Sequence, residues 1–274
     1  MRKLTVLIML SVLCLFGLSL WAEDYKTVYE RKDYKTALKL VKPLAEKGDP
    51  EAEYTLADMY YWGWGIAQDY QQALRWMTKA ARQGHREAQS NLGWWYCNGH
   101  IVKTDKKAAI KWFTAAARQG EDNAQYFLGQ MYYIGDGVPQ NFADAAVWFT
   151  KAAEQGHLNA QWYLGGMYAD GIGVHQDYAE AFKWLSKSAE QGHGIAQGDL
   201  GIMYRDGKGT PRDLVKAYKW FTLAAKTGDT RAAQNRDVLA KTMTAAQMAE
   251  AQRLASEFGP EDSRKTPGGN RKAQ

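Results

Sequence analysis

Residues 166–178 read GMYADGIGVHQDY and set Asp170, His175 and Asp177 around the turn Gly171–Ile172–Gly173. Two chemistries suit that combination. A glycine turn that opens onto a helix offers backbone N–H groups to a phosphate. A histidine between two carboxylates offers nitrogen and oxygen ligands to a metal. Three other features invite a chemical reading. His85, His157 and His193 recur at multiples of one spacing, Lys226–Thr227–Gly228 spells the KTG element of β-lactam-opening serine enzymes, and the thiols are Cys14 and Cys97.

The elements that carry these residues repeat every 36 positions. Ala52, Ala88, Ala124, Ala160 and Ala196 form one column, Leu56, Leu92, Leu128, Leu164 and Leu200 a second, and Tyr60, Tyr96, Tyr132, Tyr168 and Tyr204 a third. Gly63, Trp76 and Gly84 each recur at the same period four more times. Such self-similarity identifies a repeat architecture before any motif is weighed. Ala52, Leu56 and Tyr60 lie at i, i+4 and i+8, one face of a first helix, helix A. Gly63 ends it, because glycine takes a positive φ at little cost. Asp69, Asp105, Asn141, Asp177 and Asp213 precede a second apolar stripe and read as N-caps of helix B. Ala73, Trp76, Ala80 and Ala81 form its inward face, and Gly84 closes it.

Most of the chemical candidates dissolve on this reading. GMYADGIGVHQDY becomes the tail of helix A, a turn and a cap. The three histidines share one phase and so stand in a row, at least one repeat apart, as polar turn residues near a helix C-terminus, where they cannot close on one ion. KTG occupies the phase of the ordinary EQG turn, and no serine is followed three residues later by lysine, so the activated nucleophile is missing. Cys97 falls outside the packing columns and reads as a half-buried bystander, with pairing to a partner as the alternative.

Bulk composition narrows the class. Hydrophobic residues make up 46% and aromatic residues 13% of the 274 positions, enough for a core and too many for a disordered chain. Arg2 and Lys3 precede an apolar run from Leu4 to Trp21, followed by Ala22 and then Glu23 and Asp24. That pattern is a secretory signal peptide over 1–22, with cleavage expected after Ala22 and a periplasmic or secreted destination. An uncleaved anchor helix is the rival reading. Cleavage leaves Cys97 as the last thiol, no internal disulfide, and no membrane span. It also lowers the formal charge of +5 by two, an excess too mild and too scattered for a nucleic-acid footprint.

The string A-x-x-x-L-G-x-M-Y-x-x-G-x-G-V-x-Q-D-Y-x-x-A-x-x-W-x-x-K-A-A-E-Q-G-H, clearest over residues 157–193, resembles the Sel-one-like repeat, a relative of the tetratricopeptide repeat. The resemblance covers residues 24–258 and implies an all-α, right-handed α/α superhelical solenoid. The expected organisation is a divergent capping repeat at 23–48, five repeats at 49–228, capping helices at 229–258 and a disordered tail at 259–274. In the leading unit Tyr34, Ala37, Leu40, Ala45 and Gly48 sit one period before the helix-B columns. Thr244 and Gln247 form a capping box for a last helix with the stripe Met248, Ala251, Ala255 and Phe258. Repeat two departs most, with Ile101 in place of the second turn glycine, Lys106 after the cap and Trp95 in place of Met. Loop drift and a turn remodelled beside a binding site both account for that.

The resemblance implies a non-enzymatic scaffold or adaptor of the cell envelope. A partner is expected in the groove lined by helix A, at phases off the packing columns. There the residues vary and include Tyr54, Tyr61, Trp62, Trp94, Tyr126, Tyr133 and Trp162, the amphipathic rings that protein interfaces favour. A protein or peptide ligand, a monomeric state and no cofactor or metal follow. Two alternatives stay open. Exported disulfide-rich relatives imply penicillin binding or weak β-lactam hydrolysis, although their paired cysteines are missing here. An aromatic groove also suits peptidoglycan or another glycan.

Overall fold

The computed structural model describes residues 24–259, so the expected leader at 1–22 and, Gly259 apart, the expected tail at 259–274 lie outside the described residues. Among those residues are fourteen α-helices and no strand. The chain forms two compact units, Met1–Asp105 and Lys106–Gln274. The first holds α1 (Tyr25–Glu30), α2 (Tyr34–Glu46), α3 (Pro50–Trp62), α4 (Tyr70–Arg82) and α5 (Arg86–Asn98). The second holds α6 (Lys106–Arg118), α7 (Asp122–Ile134), α8 (Phe142–Glu154), α9 (Leu158–Asp170), α10 (Tyr178–Glu190), α11 (Gly194–Asp206), α12 (Leu214–Lys226), α13 (Thr230–Ala240) and α14 (Ala245–Ser256). Within the first unit consecutive helices pack from α1 to α5, within the second from α6 to α13, and α14 returns to lie against α12. Each unit is an α/α solenoid of helix pairs.

Both helix types start on a side-chain cap. Asp69, Asn141, Asp177 and Asp213 accept N–H bonds from the first turns of α4, α8, α10 and α12. The N–H of each cap donates in turn to the carbonyl of Tyr60, Tyr132, Tyr168 or Tyr204 at 2.9–3.0 Å. That carbonyl bond spans the whole A-to-B turn. The tyrosine rings stay half-buried, less enclosed than the alanine and leucine columns. Those two columns make the core, since Leu56, Leu92, Leu128, Leu164 and Leu200 are at most 1% exposed. Trp76, Trp184 and Trp220 are also buried, and lysine ammonium groups from Lys79, Lys187 and Lys219 cover their outer faces at 4.0–4.6 Å from the ring centroids.

A buried glutamine column, not recognised in the sequence, ties the pairs together. Gln89, Gln125, Gln161 and Gln197 each donate to a carbonyl near the end of the preceding helix B, from Ala81, Ala117, Ala153 and Ala189. Their side-chain oxygens are reached from the other side. Gln155 donates to Gln125 and Gln191 to Gln161, both at 2.7 Å. The ladder stops at the last repeat. Thr227 stands where Gln would, and Gln197 Oε1 is left buried with no hydrogen-bond partner. Helix ends leave carbonyls without intrahelical partners, and a buried amide chain is one way to satisfy them.

At the C-terminus the capping box forms as expected, with Thr244 and Gln247 bonded reciprocally. Ala251 and Ala255 are buried, and the Phe258 ring meets Trp220 edge-on at 5.3 Å.

Candidate functional site

The GMYADGIGVHQDY segment is backbone geometry. Gly171 closes α9 at φ 70° and donates to the Met167 carbonyl. Gly173, also at φ 70°, lies so close to the first residue of the previous helix B that a Cβ would strike the Phe142 carbonyl. Gly65 and Gly209 sit in the same way on Tyr34 and Tyr178. Asp177 caps α10 through bonds from Ala179 and Glu180 at 2.8 and 3.1 Å. Among the described residues no group of three or more His, Cys, Asp or Glu side chains is arranged to hold a metal ion. KTG is a helix ending, in which Thr227 Oγ1 donates to Ala224 O at 2.8 Å and Gly228 turns at φ 95°.

The histidine row has a different role from the one expected. Rather than decorating the end of helix B, His85, His157 and His193 start the next helix A. Each Nδ1 accepts the N–H of the alanine three residues on, Ala88, Ala160 or Ala196, at 3.1–3.2 Å. Only a ring with an unprotonated Nδ1 can accept that bond. Burial accordingly pushes His157 and His193 below the ordinary value of 6.5, against the pull of Asp122 on the first and Asp199 on the second.

These rings account for three of the expected partner residues. Tyr54 stacks on His85 at 4.5 Å, Tyr126 on His157 at 4.4 Å and Trp162 on His193 at 5.4 Å. Trp162 Nε1 also donates to Asp199 at 3.0 Å, whose carboxylate pairs with Arg231 at 2.8 Å. In unit 2, Tyr126, Tyr133 and Trp162 all touch the ring of Tyr163, which stacks on the fully buried Phe149 at 4.8 Å. Desolvation there raises the Tyr126 hydroxyl to about 12. These three side chains are half-buried parts of the repeat packing.

Unit 1 holds the rings that project. Trp62 and Trp94 are 44% and 36% exposed, and Tyr70, at the first residue of α4, is 42% exposed. They converge on Tyr61 and His100. Tyr61 meets Trp62 at 4.7 Å and Tyr70 at 5.6 Å, while Trp94 meets His100 at 5.6 Å. Tyr61 Oη and His100 Nε2 are hydrogen-bonded at 2.8 Å. Beneath them, Trp95 is 4% exposed and stacks on Tyr61, fixing the cluster to the core. Trp64 extends it, stacked on Trp62 at 5.7 Å and on Tyr34 at 4.9 Å. Trp64, Tyr70 and His100 were missed because they lie in the turn and at the helix-B start, columns assigned to architecture. The available signal was aromatic residues at turn phase 64, where the other repeats carry Asp136, Ile172 and Lys208. Cys97 is half-buried on α5.

Helix pairs of constant period, capped and core-packed by recurring residues, define a repeat scaffold. The chain belongs to the Sel1 repeat family, whose model matches residues 50–85, 86–121, 122–157, 158–193 and 194–229. Proteins built from this repeat are generally protein-interaction scaffolds. Among solved structures, the chain is similar to a Sel1 repeat protein from Oxalobacter formigenes, with 30% identity over 88% of this chain and 92% of that one at a TM-score of 0.71. It is also similar to a protective antigen of uropathogenic Escherichia coli strains that displays an SLR fold, with 30% identity over 82% of this chain at a TM-score of 0.56. The chain spans 56% of the length of that antigen. No curated protein matches the sequence.

Proposed function

We propose that this protein is an exported scaffold that holds a protein or peptide partner on the aromatic surface of its first unit. The observation that carries the reading is the convergence of Trp62, Tyr70 and Trp94, all exposed, on the hydrogen-bonded Tyr61–His100 pair. Large rings held rigidly from below lose little entropy on binding and offer both apolar faces and polar edges. Export rests on the N-terminal pattern of Arg2, Lys3, the apolar run and Ala22.

The near-parallel Trp62 and Trp64 rings, 19° apart, favour a second reading in which the same surface stacks on a glycan. One experiment addresses both. The chain beginning at Glu23, which keeps the fourteen described helices, is cross-linked to envelope proteins and in parallel sedimented with purified sacculi. A Trp62→Ala/Trp94→Ala variant and a Trp162→Ala variant run beside it. The peptide reading expects a cross-linked protein that survives Trp162→Ala and is lost with the double variant. Sedimentation with sacculi that follows the same pattern moves the assignment to the glycan. Equal retention by all three chains removes this surface from both.

A further inference from the structure

The first full-length helix of unit 1 has a face that the repeat logic leaves uncovered. In α2 the row Ala37, Val41 and Ala45 is fully buried. Beside it run two more rows at i, i+4 spacing, Leu40 with Leu44, and Lys39 with Pro43 and Lys47, all exposed. Leu40 and Leu44 are 37% and 38% exposed, although the same phases are buried or half-buried elsewhere, Trp112 and Trp148 being the half-buried ones. The phase of Leu40 is that of Trp76, Trp184 and Trp220, at 8%, 6% and 5%, and the phase of Leu44 is that of Ala80, Ala116, Ala152, Ser188 and Ala224, all at 0%. The reason is positional. Trp184 packs into the cluster of the helix pair before it, and no helix B precedes α2 among the described residues.

Charge is sorted by helix type around this face. In unit 1 the two B-type helices, α2 and α4, carry Lys35, Lys39, Lys42, Arg75, Lys79 and Arg82 against Glu46 alone. The A-type helices α3 and α5 carry Glu51, Glu53, Asp58 and Glu87 against Arg86 alone. We propose that this face of α2 docks on an anionic lipid membrane, with Leu40 and Leu44 entering the headgroup boundary while Lys39 and Lys47 meet the lipid charge. A basic row flanking an apolar row is the pattern of interfacial helices. A second copy of the chain would bring lysine against lysine, and a nucleic acid offers nothing to the leucines.

The test is sedimentation of the chain beginning at Glu23 with vesicles of phosphatidylcholine alone or mixed with phosphatidylglycerol. Binding is expected with the anionic vesicles only and weakens as salt is raised. Lys39→Glu/Lys47→Glu and Leu40→Ser/Leu44→Ser are each expected to lower affinity about tenfold or more, with circular dichroism unchanged. Trp62→Ala/Trp94→Ala is expected to keep full vesicle binding, which separates this proposal from the aromatic surface. Equal binding to neutral vesicles, or affinity that neither pair of substitutions changes, overturns it. Lipid-free self-association lost in Leu40→Ser/Leu44→Ser gives the face to a second copy, and DNA binding that survives that variant gives it to nucleic acid. Either result overturns the membrane assignment.

Discussion

Two sets of aromatic side chains, most of them on helix A and one, Tyr70, at the start of a helix B, have opposite fates. In unit 2, Tyr126 and Trp162 lie flat on His157 and His193, rings that are themselves caps, and Tyr133 leans on Tyr163 above Phe149. In unit 1, Trp62, Tyr70 and Trp94 spread outward from a hydrogen-bonded pair. What differs is the neighbour. Where the residue one step along the array is a histidine cap, the ring has an apolar and polar surface to lie on. Where the neighbours are a turn tryptophan and an exposed histidine, the rings cover each other and leave faces to solvent. Aromatic content alone therefore does not mark a binding surface.

The turns make the same point. Gly65, Gly137, Gly173 and Gly209 all have positive φ, whereas in repeat two the position belongs to Ile101, and Lys32 is the one non-glycine with positive φ among the described residues. Repeat two thus has a turn of its own, and the division between the two units follows at Asp105–Lys106. His100, which completes the aromatic cluster, comes from that same turn.

If the unit 2 set is structural and the unit 1 set is not, substitutions should separate them in order of size. The largest effect is expected at Gly173. Gly173→Val forces a branched side chain into positive φ against the Phe142 carbonyl and should cost about 3 kcal/mol in denaturant titration. Gly166→Ala in the adjoining helix has open space around it and should instead stabilise by about 0.5–1 kcal/mol.

Next is His157→Ala, which removes a cap and the Tyr126 stack and should cost about 2 kcal/mol. The same histidine makes stability pH-dependent. Its folded value lies below 6.5, so the folded state favours the neutral ring. The contribution is complete above pH 6.5 and is lost as pH falls through the folded value. Unfolding midpoints should therefore drop between pH 7.5 and 5.5, and His157→Asp, which keeps an acceptor at the cap, should flatten that drop. An unchanged slope in the variant would assign the acid sensitivity to other groups.

A smaller gain is expected from Thr227→Gln, which offers Gln197 Oε1 the donor it lacks and should add about 1 kcal/mol. The smallest stability change, below about 0.5 kcal/mol, belongs to Trp94→Ala, an exposed ring whose loss should appear in binding instead. A Trp94→Ala variant as destabilised as His157→Ala would erase the distinction between the two sets.

The sequence by itself determined the period, the alternation of helices, the caps at Asp69, Asn141, Asp177 and Asp213, the alanine and leucine core, and the structural nature of the Gly171–Gly173 turn. These are local or nearest-repeat properties, so a column repeated five times states them outright. It did not tell a packed ring from a projecting one, because both occupy variable phases of helix A. Nor did it show that the histidines begin helices, that buried glutamines bridge 30 residues through Gln155 to Gln125 and Gln191 to Gln161, or that Leu40 stays 37% exposed at the phase of the buried Trp76. Those outcomes depend on which side chain arrives from the next repeat, and only the folded chain brings the two together.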